Sequence, residues 1–155
     1  MKVLAIDPGT EKSAWLLYDT NTEGIIQVEI EDNKNVLAVC DSAFSSANKM
    51  AIEMIASYGM PVGKEVFETC CWIGRFEKAF GISESVRIYR KDIKLHFCNS
   101  VRAKDGNIRQ AIIDRFGGKE KAIGKKASQG RLHRITADLW SALAIAIYYA
   151  DKYGK

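Results

Sequence analysis

The sequence has no apolar run approaching the roughly 20 residues that a transmembrane helix needs. It also has no basic segment followed by a short apolar stretch and a small-residue cleavage site, which is the pattern of a secretory leader. We therefore expect a cytoplasmic protein with no membrane partner. The length of 155 residues, with 47% hydrophobic and 27% charged residues, predicts one globular domain over residues 1–155 rather than a disordered chain.

Cysteine and histidine are scarce, with four and two residues respectively. Cys40, Cys70, Cys71 and Cys98 include a vicinal pair but no Cys-x-x-Cys spacing, which indicates buried thiols in a reducing compartment. A zinc site that uses His96 and Cys98 is a minor alternative, because it rests on the spacing of these two residues alone.

Charge is unevenly distributed along the chain. Residues 1–60 contain four lysines and nine acidic residues, whereas residues 117–134, the basic segment, contain six basic residues and one acidic residue. Such a concentration indicates a polyanionic partner, and a solvated loop that only aids solubility is the alternative. The glycines of the basic segment predict a flexible loop that becomes ordered when it binds a phosphate backbone. The candidate phosphate contacts are Lys119, Lys121, Lys125, Lys126, Arg131 and Arg134.

Hydrophobic periodicity divides the chain into short strands and helices. The predicted strands are Val3–Ile6, Ser13–Asp19, Ile25–Ile30, Lys49–Ser57 and Val86–Tyr89. The predicted helices are Val36–Phe44, Gly63–Phe80, Asn107–Phe116 and Thr136–Tyr149. The first three strands form an antiparallel block and the later elements mix strands with helices, so the pattern predicts an α/β fold.

Two carboxylates occupy unusual positions in the predicted strands. Asp7 ends the first apolar strand before Pro8-Gly9, and ligands of α/β sheets gather at the carboxyl ends of strands. An ordinary turn aspartate is the alternative for Asp7. Glu53 falls in the middle of an apolar strand, where a carboxylate loses its hydration. Glu53 is therefore either paired with a cation or built to hold a metal ion.

Asp138 is the only charged residue of the last predicted helix. With Thr136 as the N-cap, Asp138 falls in the first turn, where the helix dipole favours an anion, and this purely structural role is one interpretation. The functional interpretation makes Asp138 a third carboxylate, at the mouth of a helix that packs over the strands bearing Asp7 and Glu53.

Three carboxylates without histidine or thiolate form a donor set that suits Mg²⁺ or Mn²⁺. Two such ions about 4 Å apart activate a water on one side of a phosphodiester and stabilise the leaving oxygen on the other. Like charges repel, so we expect the site to be poorly formed until metal binds.

The chain resembles the RuvC-type Holliday junction resolvases of the ribonuclease H-like superfamily, and within them the short phage and prophage branch. The resemblance spans nearly the whole chain, and its most specific parts are the first and last motifs. Four motifs carry it: Leu4–Gly9 with Ser13-Ala14, Ala51–Glu53, Arg102–Gln110 and Ala137–Ala144.

This resemblance implies a ribonuclease H-like mixed five-stranded sheet flanked by α-helices. It also implies a homodimer that makes paired Mg²⁺-dependent nicks in four-way DNA junctions, with Mn²⁺ as a substitute and no small-molecule cofactor. Asp7, Glu53 and Asp138 would be the catalytic, metal-binding carboxylates. The family places DNA contacts just before the catalytic helix, where the basic segment lies. The surfaces expected for dimerisation are Gly63–Phe80 and Asn107–Phe116.

The sequence departs from the family at Ser141. Bacterial members often carry a fourth metal-site residue one helical turn after the position of Asp138, and serine replaces a carboxylate poorly. Either the second metal is held more loosely, or another group such as His133 contributes. A solvent-facing His133 that at most touches phosphate is the alternative.

Three other functions compete with junction resolution. One is a nuclease of the same fold that acts on branched or forked DNA or on structured RNA. Another is a non-catalytic nucleic-acid-binding protein, although the order of Asp7, Glu53 and Asp138 disfavours it. The Asp-x-Gly-Thr start at Asp7 also resembles the phosphate loop of sugar and acetate kinases, but 155 residues cannot supply their second, nucleotide-binding half.

Overall fold

The structure, a computed structural model, describes residues 1–43 and 46–154. A five-stranded sheet has the order β3-β2-β1-β4-β5. Strands β1, β2 and β3 are antiparallel neighbours, whereas β4 and β5 run parallel to β1. This arrangement confirms the predicted mixed five-stranded sheet. The strands are β1 (Lys2–Asp7), β2 (Lys12–Asp19), β3 (Gly24–Asp32), β4 (Lys49–Met54) and β5 (Ser85–Tyr89).

Helices cover both faces of this sheet, and a two-stranded hairpin lies apart from it. The helices are α1 (Asn33–Ala43), α2 (Lys64–Phe80), α3 (Arg90–Cys98), α4 (Asp105–Arg115), α5 (Lys119–Ala122) and α6 (Leu139–Tyr153). The hairpin consists of β6 (Gly124–Lys125) and β7 (Ser128–Gln129), and a 3-10 turn spans Ile82–Glu84. Among the described residues, no helix has the length and apolar character needed to cross a bilayer.

Strand β1 is buried on both of its faces. Val3 and Ala5 pack into the core under α4 and α6, whereas Leu4 and Ile6 pack into the core under α1 and α2. This double burial explains why β1 reads as a continuous apolar run instead of an alternating one. It also fixes the end of β1, and therefore Asp7, rigidly within the molecule.

Three parallel strands end at the same edge of the sheet. In the register of β1 and β4, Ile6 is paired with Ile52, so Asp7 and Glu53 follow side by side. Strand β5 runs parallel to β4, and Arg90 begins α3 directly after it. The topology therefore brings Asp7, Glu53 and Arg90 to one place from three separate parts of the chain.

Several predicted boundaries differ from the structure. Strand β4 ends at Met54, so Glu53 lies near the end of its strand and not in the middle. The N-cap of α6 is Asp138 and not Thr136. Helix α1 begins at Asn33, and the predicted end of this helix at Phe44 lies outside the described residues.

Two further corrections concern regular structure that was not predicted. Helix α3 was missed because its sequence is dominated by charged residues and only Ile93 is fully buried. The basic segment, predicted as a flexible loop, contains α5 and the β6–β7 hairpin. It is held by backbone hydrogen bonds from Gly130 to Ile123 (2.9 Å) and from Leu132 to Ala122 (2.7 Å). Because a side chain at Gly130 would overlap the Ala122 carbonyl, this glycine permits close packing and does not simply add flexibility.

Candidate active site

The turn after β1 is held by a buried network of polar side chains. The Gly9 amide donates to Ser13 Oγ (3.1 Å), and the Ser13 hydroxyl donates to Asn33 Oδ1 (2.6 Å). Asn33 Nδ2 in turn donates to the Gly9 carbonyl (2.9 Å). Ser13 and Asn33 are almost fully buried, and each finds hydrogen-bond partners within the network. The network therefore fixes the backbone that carries Asp7.

Asp7 is buried beside two other carboxylates. Burial, followed by the nearby charges of Glu53 and Asp138, raises the pKa of Asp7 to about 7. Arg90 and a hydrogen bond from the Ser141 hydroxyl oppose this rise. Glu53 and Asp138 are therefore close enough to Asp7 for their charges to act on it, and a shared metal site stays a prediction.

Glu53 is paired with a cation, as one of the two sequence interpretations required. Arg90 Nη1 donates to Glu53 Oε2 at 3.4 Å, and the two side chains are 23% and 17% exposed. Burial raises the pKa of Glu53, and the positive charge of Arg90 partly offsets that effect. The ion pair is thus present, and metal binding by Glu53 stays a prediction.

Arg90 lies beside the predicted carboxylates, and sequence reasoning did not single it out. Besides Glu53, its guanidinium contacts Ser141 Oγ (3.5 Å) and Asp105 Oδ1, at the start of α4. The only signal in the sequence was the position of Arg90 directly after the predicted strand Val86–Tyr89. That signal gains meaning only when the strand is known to end beside those bearing Asp7 and Glu53.

Asp138 is exposed and occupies the N-cap position of α6, but its side chain forms no capping hydrogen bond. The preceding residue, Ala137, has φ of +46°. A left-handed conformation costs a residue with a side chain about 1–2 kcal/mol. Asp138 is thus presented by a strained turn, with its carboxylate oxygens free of the helix backbone.

Ser141 and His133, the two candidates to complete the site, have different surroundings. The Ser141 hydroxyl contacts both Asp7 and Arg90, so it lies within the carboxylate site. The Nδ1 atom of His133 is hydrogen-bonded to the Ile123 carbonyl (2.9 Å), which joins it to the basic segment.

The donor set fits a hard divalent cation, but its atoms do not converge. Among residues 1–43 and 46–154, no group of three or more histidine, cysteine, aspartate or glutamate side chains is placed to hold a metal ion. The carboxylates of Asp7, Glu53 and Asp138 are nonetheless the oxygen ligands that Mg²⁺ prefers. For the zinc alternative, the structure gives His96 a different partner, Asp151 Oδ2 at 2.7 Å.

The cations of the basic segment are exposed, but one of them, Arg131, is already engaged within the protein. Arg131 donates to the Thr22 and Glu23 carbonyls (2.8 Å each) and lies over the Phe116 ring, so it anchors the β2–β3 turn. Within the described chain, the other five form no ion pair and are exposed: Lys119, Lys121, Lys125, Lys126 and Arg134.

A second basic surface adjoins the carboxylate site. A cavity of about 410 Å³ is lined by Tyr58, Arg90, Lys91, Lys94 and Val101. The positive charge of Lys94 acts on Glu53. Lys91 and Lys94 are separated by two other residues in α3, so they do not form a continuous basic run that the sequence would reveal.

Two solved structures are similar to this protein over almost the whole chain. The Thermus thermophilus RuvC structure matches with a TM-score of 0.70 and 15% sequence identity, over 97% of this chain and 96% of that chain. The structure of T. thermophilus RuvC in complex with Holliday junction substrate matches with a TM-score of 0.69 and 16% identity, over 97% and 93% of the two chains. No protein-family model and no curated protein matches the sequence.

At 15–16% identity these matches establish the fold and not the activity. They confirm the resemblance drawn from the four sequence motifs and the predicted fold class. The chain therefore has the RuvC-type, ribonuclease H-like fold.

Proposed function

We propose that this chain is a Mg²⁺-dependent, structure-specific endodeoxyribonuclease that cleaves four-way DNA junctions. The observation that carries the proposal is that Asp7 and Glu53 end neighbouring strands of a RuvC-type sheet, near enough to Asp138 for its charge to act on Asp7. Structural similarity to a RuvC in complex with a Holliday junction substrate supports branched DNA as the substrate.

Asp7, Glu53 and Asp138 would hold the divalent ions, either Mg²⁺ or Mn²⁺. When bound, such ions activate water for in-line attack and stabilise the leaving oxygen, which leaves 5′-phosphate and 3′-hydroxyl ends. The protein's own contribution is to aim these carboxylates. The buried Ser13–Asn33 network fixes the turn after Asp7, and the Ser141 hydroxyl orients the Asp7 carboxylate.

Two basic surfaces would hold the DNA backbone. One is the exposed part of the basic segment, and the other is the cavity lined by Arg90, Lys91 and Lys94. Phosphate contacts of this kind position a duplex without reading its sequence. A junction needs more than one duplex arm to be held, which two separated surfaces allow.

Symmetric cleavage of a junction requires two active sites, so we also propose a homodimer with an isologous interface. Helix α2 is the better of the two predicted surfaces. Its outer side exposes Phe67 (62% exposed) and Cys71, next to Trp72. An aromatic residue exposed on a long helix suits a helix-to-helix contact.

A panel of labelled DNAs tests the function. We expect Mg²⁺-dependent, paired nicks in a four-way junction, slower cleavage of three-way and forked DNA, and none of linear duplex. Sedimentation of the same samples should show a dimer. Equal cleavage of forks by a monomer would favour the related fork nuclease, and binding without cleavage would favour a non-catalytic protein. Cleavage of structured RNA would instead indicate a ribonuclease of the same fold. The phage branch and the cytoplasmic location stay predictions from the sequence.

The basic segment is expected to supply affinity and not chemistry. Replacing Lys125 and Lys126 together by alanine should weaken binding to all DNA sequences about equally. Each lost phosphate contact lowers the salt slope by roughly 0.9, so the slope should fall by up to about 1.8. The single-turnover rate at saturating enzyme should change much less.

The matched control replaces Lys34 and Lys78 together by alanine. This double substitution removes the same amount of charge, but from the α1–α2 side of the sheet. This control should keep the salt slope of the wild-type protein. If the Lys125→Ala, Lys126→Ala double variant binds DNA like the wild-type protein but cleaves it much more slowly, one of these lysines belongs to the active site.

A further inference from the structure

The side chain of Arg90 joins a buried carboxylate to an exposed one. Nη1 faces Glu53, which is 17% exposed, whereas Nη2 contacts Asp105, which is 78% exposed. The longer Glu53 contact, at 3.4 Å, lies beyond the usual range of a charge-assisted hydrogen bond, which is about 2.7–2.9 Å. Of the two contacts, the one to Glu53 is therefore the easier to break.

The guanidinium also lies where a bound cation would act. Arg90 lowers the energy of charged Asp7 and of charged Glu53, and it reaches Ser141, which itself contacts Asp7. A single positive charge thus partly offsets the repulsion among carboxylates that a divalent ion would offset more completely.

We propose that Arg90 is an internal counter-ion of the carboxylate site: a divalent ion displaces its guanidinium from Glu53, and Asp105 retains it afterwards. This inference rests on the metal site of the proposed function. It makes Arg90 and Asp105 positioning residues, because they set how readily the carboxylates accept a metal ion without touching the reacting atoms.

A different role for Arg90 predicts the opposite sign. If Arg90 only orients Glu53 toward the metal, its removal weakens metal binding. If Arg90 competes with the metal, its removal strengthens metal binding. The direction of the change in affinity therefore separates the two roles.

Calorimetric titration of Mn²⁺ into the DNA-free protein measures this direction. We expect Arg90→Gln to bind Mn²⁺ about tenfold more tightly than the wild-type protein, which corresponds to about 1.4 kcal/mol, because the guanidinium no longer opposes binding. Arg90→Lys keeps the charge but loses the forked geometry, so it should fall between the two. Arg102→Gln is the matched control, because Arg102 is an exposed cation in the α3–α4 connection, and its affinity should change less than threefold.

Asp105→Asn tests the second half of the mechanism. Without Asp105 the guanidinium binds Glu53 with no competitor, so Mn²⁺ affinity should fall. In the Arg90→Gln background the same substitution should have no effect. If Asp105 were itself a metal ligand, Asp105→Asn would weaken binding in both backgrounds, and this would overturn the proposal.

Thermal unfolding in EDTA keeps the test independent of catalysis. Arg90→Gln should lower the Tm without metal and show a larger rise with Mn²⁺ than the wild-type protein. If Arg90→Gln binds Mn²⁺ more tightly but the wild-type protein cuts no DNA, the counter-ion role of Arg90 is supported and the proposed nuclease activity is refuted. Weaker Mn²⁺ binding by a folded Arg90→Gln variant, in a protein whose wild type cuts junctions, would refute the counter-ion alone.

Discussion

Asp7→Asn should abolish junction cleavage in Mg²⁺, with a fall of about a thousandfold or more in the single-turnover rate, while junction affinity stays within about threefold of wild type. Asp7 ends the central strand and faces both other carboxylates, so no neighbouring oxygen replaces its charge. Binding should survive, because the change removes a negative charge from a surface that meets phosphate. Asp41→Asn on the exposed side of α1 makes the same chemical change as a control.

Rapid-quench cleavage and gel-shift binding, measured on the same four-way junction, separate the two effects. The outcome should be repeated by Glu53→Gln and Asp138→Asn. Ca²⁺ should support binding without cleavage, since its longer and more irregular coordination does not suit the two-ion geometry. An Asp7→Asn protein that cuts at near the wild-type rate would remove Asp7 from the mechanism.

The sequence predicted those features that depend on local burial. The continuous apolar run of β1 exists because both faces of this strand are covered, and that run alone located Asp7 at a strand end. Similarly, Glu53 was recognised as anomalous because its neighbours Ala51 and Ile52 are fully buried. Each of these signals lies within a few residues of the chain.

The features that sequence reasoning missed depend on contacts between distant segments. Arg90 contacts Glu53 across 37 positions and Ser141 across 51, and nothing local distinguishes it from the other arginines. Helix α3, which Arg90 begins, was missed for a related reason, because a charged helix with one fully buried residue has no clear apolar period. The role of Arg131 at the β2–β3 turn was likewise hidden, since its partners lie more than 100 positions earlier.

The metal-free protein should lose stability as the pH rises from about 4 to about 8, and Asp7 should cause much of that loss. The pKa of Asp7 is about 7 in the folded protein against an ordinary value of 3.8, because burial and the charges of Glu53 and Asp138 disfavour its ionised form. The folded state therefore binds a proton that the unfolded state has released between these two pH values. Its contribution to stability is complete below pH 3.8 and is lost as the pH passes through 7.

Asp7→Asn removes this titration, so the variant should become more stable than the wild-type protein at pH 8 and in EDTA. A shift of one pKa unit corresponds to about 1.4 kcal/mol, and allowing for solvent screening at this partly exposed carboxylate we expect a gain of about 2 kcal/mol. Urea unfolding at pH 5 and pH 8 measures the difference between the two proteins, and titrations common to both cancel in it. Mg²⁺ should reverse the order at pH 8, because it stabilises only the protein that retains all three carboxylates. An Asp7→Asn protein less stable than wild type at pH 8 in EDTA would contradict this prediction. It would mean that the contacts of the Asp7 side chain stabilise the fold by more than its buried charge and the repulsion from Glu53 and Asp138 destabilise it.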